Sequence, residues 1–378
     1  MNDTTNLFDY LIWRGDLSFS DSPFCEIDGM ILARLAYIPF ELYFNQEGRQ
    51  SHKLQNICQY LLSLPDIKSH LLEEQDDRLL LALSQSNRFC HIRVYDYVNI
   101  FDVNKQAQFC ACTLKLYDGS FVIAYRGTDS TIVGWKEDFN MGYLCPLPSQ
   151  THAVKYLNIA YSRYPGSLIL TGHSKGGNIA VYAGIFCKPE VQNSIKNIYA
   201  YDSPGFPESV LTSPEYKRIV KKIFSFVPQG SMVGTLLGHK EKYQIIHSSA
   251  AKMREQHFMY SWDVVGTKLV YEAERTDGSL IFENTMHQWV KSLNPTEYAN
   301  FVDAMYALFS DVDAVTLSEI KAKWFANSKT ILSSYREMDD EHRKEISNGI
   351  SAFFKSAKDE ILSGAKSKLK SNKTAKEQ

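Results

Sequence analysis

The stretch "SLILTGHSKGGNIAVYAGIF", residues 167–186, constrains this chain more than any other. An apolar run leads into Gly172-His173-Ser174-Lys175-Gly176, and a helical pattern starts at Gly176. That order fits G-x-S-x-G, in which a serine sits on a sharp turn between a strand and a helix. The glycines remove side chains that would keep strand and helix from closing on the turn. The helix then aims its N-terminal amides at the serine, where negative charge develops during acyl transfer. The flanking strand and helix favour this elbow over a glycine-rich turn with an incidental serine. Ser174 is the candidate nucleophile, and the backbone N–H of Lys175 a candidate oxyanion donor.

The rest of the pattern places that elbow in a sheet. Apolar residues recur at helical spacing over 29–37, 54–64 and 78–83, which predicts a helical entry segment. "HIRVYDYVNIF" changes period to that of a strand, and "AQFCACTLKLYDGSFVIAYRGT" reads as two strands joined at Asp118-Gly119. A helix is predicted over 153–164, before the elbow strand. After the elbow come strand candidates in "IKNIYAYDSPG", "IVKKIFSFVPQG" and "KYQIIHSS", with a helical "SPEYKR" between the first two. Strands alternating with helices require crossover connections. The expectation is an α/β-hydrolase fold with a mixed, mainly parallel central sheet, N-terminal helices and a helical C-terminal extension. Residues 1–290 form the expected hydrolase domain and 291–378 the extension, with helices in "PTEYANFVDAMYALFSD", "TLSEIKAKWFANSKTILSSY" and "EHRKEISNGISAFFKSAKDEILSGAKSKLKS" and a disordered tail after Leu369.

A serine hydroxyl needs a base, and in this arrangement the histidine comes late in the chain. His173 sits beside the nucleophile, where its ring is expected to point away. His257, in "EQHFMYSWDV", follows the final strand candidate and is the leading base, with His239 its rival. His247 lies inside a strand run and suits a core or edge position better. The acid should follow a strand after the elbow, and Asp202 in "YAYDSPGF" ends such a strand with a carboxylate. Asp202 could instead cap the turn Ser203-Pro204-Gly205. Asp263 and Glu255 are alternatives close in sequence to His257. Thr128 in "YRGTDSTIVGWKEDF", with an amide and a hydroxyl, is the second oxyanion candidate. Arg126 and Asp138 would pair to hold its loop.

Other classes are disfavoured. A formal net charge of −2 gives no basic face for nucleic acid. The seven cysteines are odd in number and lack a framework spacing; no histidine pair joins Cys110 and Cys112 in a zinc set, so no metal or cofactor is expected. The start "MNDTTNLFDYLIWRGD" lacks the features of a signal peptide, and no apolar run approaches the roughly twenty residues of a membrane helix. A cytoplasmic setting is the expectation.

"AYRGT", Trp135, Asp138, "GHSKGG" and "QHFMYSW" resemble the FRGT, W-x-x-D, GHSLGG and late-histidine motifs of class 3 lipases. "NLFDYLIWRGDLSF", "YRGTDSTIVGWKEDFNM", "GHSKGGN" and "YDSPGF" are more closely similar to the bacterial Mbeg-like α/β-hydrolases. The resemblance runs from about Leu7 to Trp289. It implies esterase or lipase activity on acyl esters, with Ser174 as nucleophile, His257 as base, and Thr128 with Lys175 as the oxyanion hole. Two departures stand out. Lys175 replaces a leucine, and Ser231-Met232-Val233-Gly234 stands where class 3 lipases carry their aspartate, so the acid has moved, with Asp202 its candidate place. An acyltransferase or thioesterase would use the same triad, and a silent lipid-binding scaffold would use only the fold. In the last helix, Ile346, Ile350, Phe353, Phe354, Ala357, Ile361 and Leu362 share a face that suits packing. Lys355, Lys358, Lys366, Lys368, Lys370 and Lys373 suit an anionic membrane surface.

Overall fold

The computed structural model describes residues 5–47, 51–129, 131–310, 333 and 335–374. Packing divides the chain into two units, 1–129 with 146–275, and 130–145 with 276–378. A division of the chain at residue 290 does not anticipate that 130–145 joins the C-terminal helices.

The first unit is built on one eight-stranded sheet whose spatial order follows the chain. Its strands are β1 (His52–Lys53), β2 (Arg93–Asp102), β3 (Ala107–Lys115), β4 (Phe121–Tyr125), β5 (Leu168–His173), β6 (Ile195–Tyr201), β7 (Ile223–Pro228) and β8 (Tyr243–Ile246). The first four pair antiparallel. From β4 to β8 every pairing is parallel. β4 and β5 are buried along their whole length, which is why they read as unbroken apolar runs. The β3–β4 turn closes at Asp118-Gly119, where Gly119 takes φ +86 and Asp118 Oδ1 accepts the Ser120 amide at 2.9 Å. A short β9–β10 hairpin, Val264–Val265 and Lys268–Leu269, follows the sheet.

Helices cover both faces. The helix Glu26–Leu35 packs on β5 and β6 and is buried from Ile27 to Leu35. Gly29 permits that approach: a Cβ there would lie 2.5 Å from Tyr201 Oη, and Thr171 Oγ1 donates to its carbonyl at 2.8 Å. Two buried ion pairs tie the entry helices down. Arg88 donates to both Asp28 oxygens at 2.7 and 2.6 Å and to the carbonyls of Leu17, Ser18 and Ser22. Arg34 holds Asp76, which also accepts from Tyr260 Oη at 2.6 Å. Such pairs tolerate burial because their remaining hydrogen-bonding capacity is filled. The helix Lys175–Phe186 is buried from Lys175 to Ile185, apolar almost all round as a central helix should be.

The second unit is helical, with Ile132–Asn140, Asp277–Ser292, Pro295–Ser310 and Asp340–Thr374. Trp289 centres its core, with Tyr298, Phe301 and Phe353 around the indole and Nε1 donating to the Gly349 carbonyl at 2.9 Å. Lys136 is buried and paired with Asp303 at 2.7 Å. Of the amphipathic face expected in the last helix, Ile346 and Phe353 pack inward, while Ile350 and Phe354 stay exposed. That helix runs to Thr374, past the expected end of order at Leu369; its lysines are good helix formers. The helix expected over 316–335 lies almost wholly outside the described residues. Among the described residues no helix is long and apolar enough to cross a membrane.

Candidate active site

Ser174 caps the helix Lys175–Phe186 with φ 57 and ψ −132, a backbone region that an L-residue occupies only under constraint. The constraint is visible on every side. The Ser174 amide donates to the Tyr201 carbonyl of β6 at 2.9 Å. A Cβ on Gly172 would lie 2.2 Å from the Gly176 carbonyl oxygen, and one on Gly176 2.4 Å from the Tyr125 carbonyl oxygen. Both glycines of the motif are therefore required for strand, turn and helix to meet. The Lys175 amide begins the helix, while its buried Nζ turns toward β3 and donates to Gln108 Oε1 at 3.0 Å.

The loop after β4 passes directly over the elbow. A Cβ on Gly127 would lie 2.6 Å from the His173 carbonyl oxygen and 3.2 Å from Ser174 Cβ. Thr128, the sequence's second oxyanion candidate, is the next residue of that loop. Arg126 is buried and takes Asn99 at 3.1 Å and Asp129 at 3.4 Å as partners, where the sequence suggested Asp138.

Asp202 ends β6 with φ 42 and is wholly buried. Its Oδ2 accepts from His257 Nδ1 at 2.6 Å. Its Oδ1 accepts from Ser231 Oγ at 2.5 Å and from the Gly234 amide at 2.9 Å. A carboxylate oxygen that accepts from Nδ1 places the His257 proton there and leaves Nε2 as the acceptor nitrogen. Among the described residues no hydrogen bond joins Ser174 Oγ to His257; the two meet through their neighbour His173.

His173 does not point away, as the sequence suggested. Its ring is buried, with its centroid 4.4 Å from that of His257. Nε2 lies 2.9 Å from the His257 carbonyl, which can only accept, so that nitrogen carries the proton. Nδ1 then accepts from Tyr37 Oη at 3.1 Å. Burial, with the nearby His257, pushes the imidazole well below its usual pKa, so His173 is neutral and both its nitrogens are engaged.

The rival residues are engaged elsewhere. His239 Nδ1 pairs with Glu241 at 2.8 Å. Burial alone would raise the Glu241 pKa, but hydrogen bonds from His239 and Tyr216 outweigh it and hold the carboxyl down to about 2. His247 pairs with Asp263 at 2.7 Å, and Glu255 with Lys252 at 3.0 Å. Among the described residues no cysteine forms a disulfide, and no cluster of three ligating side chains could hold a metal ion. Sequence reasoning noted Ser231 and Gly234 only as the stretch that lacks the class 3 aspartate and missed their bonds to Asp202, and it missed Tyr37, which its helical pattern marks only as an apolar position.

A mixed, mainly parallel sheet with a strained serine between β5 and its following helix defines the class: an α/β-hydrolase fold. The chain belongs to the Mbeg1-like family, whose sequence profile matches residues 83–307. No curated protein matches it. Among solved structures it is similar to a mutant form of MDLA from Penicillium cyclopium, at 16% identity over 70% of this chain and 91% of that one, with a TM-score of 0.39. It is also similar to the Rhizomucor miehei lipase in its propeptide complex, at 13% identity over 64% and 81%, with a TM-score of 0.35. Likenesses this distant add nothing to what the strand order and elbow define.

Proposed function

We propose that this protein is a serine hydrolase that cleaves carboxyl esters, most fittingly of lipids, through an acyl-enzyme. The observation that carries the reading is the half-buried Asp202–His257 hydrogen bond, whose imidazole packs on His173, the residue before a strained serine at the head of a helix. In the reaction, His257 Nε2 takes the Ser174 proton as Oγ attacks the ester carbonyl. The Lys175 amide, with Thr128, holds the oxyanion. His257 returns the proton to the departing alcohol, and water then resolves the acyl-enzyme by the same steps. Asp202 keeps the imidazole in its Nδ1–H form and stabilises the cation that forms. The Ser174–His257 hydrogen bond, not made in the free protein, forms as substrate enters, since catalytic contacts are often long in the free state and close only in the complex. Turnover of a short p-nitrophenyl ester tests the proposal: wild type should hydrolyse it and Ser174→Ala should not. Equal turnover by the purified variant would remove Ser174 from the mechanism.

A further inference from the structure

We propose that the loop after β7, residues 229–234, is the positioning element of the Asp202–His257 pair, with Ser231 as its working residue. The inference rests on the triad reading above and assigns that loop a role within it. The loop grips the acid first. Ser231 Oγ donates to Asp202 Oδ1, and the Gly234 amide reaches both that oxygen and Ser231 Oγ, each at 2.9 Å. These three bonds close a small ring on one oxygen of the carboxylate. The terminal torsion of an aspartate is broad, so a single donor would leave the group free to swing. Two donors on Oδ1 fix the plane, and Oδ2 is then presented to His257.

The same loop grips the base. The Gly230 amide donates to Gln256 Oε1 at 2.7 Å, and Gln256 precedes His257 in the chain. Gln256 in turn donates to the Ala250 carbonyl at 2.9 Å, which anchors the segment that carries the histidine. Both grips depend on glycine. A Cβ on Gly234 would lie 2.5 Å from Asp202 Oδ1, and one on Gly230 would lie 2.5 Å from Gln256 Oε1. Ser231 is only 1% exposed, so water has no ready access to replace a lost hydroxyl. The loop that carries no acid thus holds the acid supplied by the neighbouring strand.

A double-mutant cycle on the full chain tests this, with kcat and KM read on a short p-nitrophenyl ester and folding checked by thermal unfolding. Ser231→Ala should lower kcat about tenfold with KM unchanged, the size of one buried hydrogen bond that orients the base. Ser231→Cys, close in size and a weak donor, should lose several-fold and keeps the test valid if the alanine variant folds poorly. In an Asp202→Asn background, Ser231→Ala should cost less than about twofold more, because the group it positions is already disabled. A wild-type kcat in folded Ser231→Ala or Ser231→Cys overturns the proposal. So does a raised KM at constant kcat, or a full tenfold loss on top of Asp202→Asn. In each case an inactive Asp202→Asn leaves the triad intact as a reading. A fully active Asp202→Asn would overturn both.

Discussion

Asp202→Asn is the substitution whose outcome the geometry dictates most closely. The site leaves the new amide one workable orientation. An asparagine has one acceptor oxygen and an NH2 that only donates. The Gly234 amide, which now points at Oδ1, is a donor that cannot turn into an acceptor, whereas the Ser231 hydroxyl can rotate. Turning the NH2 toward Gly234 would set donor against donor in a site with no exposure, at a cost of about 1–3 kcal/mol. The NH2 therefore faces His257, whose Nδ1 must then accept. The imidazole proton moves to Nε2, and the nitrogen that should take the Ser174 proton is blocked. Wrong-tautomer substitutions of this kind cost about 10⁴ in kcat, or about 5 kcal/mol of transition-state stabilisation. KM should change little, since the loss falls on the transition state. The backbone adds no complication, because asparagine tolerates the positive φ of 42 as well as aspartate does. The assay is steady-state ester hydrolysis by a variant shown to unfold cooperatively. A loss of less than about tenfold in kcat would refute the claim that Asp202 sets the His257 tautomer.

Two further outcomes follow from burial. His173 is neutral when folded and lies well below its ordinary value of 6.5, so below about that pH the unfolded chain binds the proton more readily. Stability should fall as pH drops from 7.5 to 5, and His173→Gln should remove part of that slope; parallel urea-derived curves for the two proteins would contradict it. In the helical unit, Trp289→Ala deletes an indole that is 4% exposed and should cost about 3–5 kcal/mol in the stability of that unit. A urea midpoint shift worth less than 1 kcal/mol would show that the cluster around it is not a core.

The elbow was legible because its signal is local. A buried strand, two glycines at fixed offsets and an apolar helix lie within twenty consecutive residues, and each residue type answers a steric demand of the turn. The Asp118-Gly119 turn was legible for the same reason. Asp202 and His257 could be singled out only by chain order relative to the strands; the structure joins them across 55 residues. The partners of the His173 ring were not legible, since Tyr37 and the His257 carbonyl come from distant parts of the chain. Nor was Ser231: one hydroxyl in a loop has no pattern, and its meaning comes from a carboxylate on another strand. The helix Ile132–Asn140 was not anticipated, because Gly134 and the mixed polar residues break its stripe, although Thr131 caps it by accepting the Gly134 amide at 3.1 Å.

The central claim is that Ser174 is a nucleophile activated by His257, and covalent labelling tests it most directly. Wild-type protein treated with a fluorophosphonate and digested should yield a single modified peptide, spanning the elbow, with the adduct on Ser174. His257→Ala should label far more slowly and Ser174→Ala not at all. An adduct on another residue, or labelling of wild type no faster than of His257→Ala, would contradict the account.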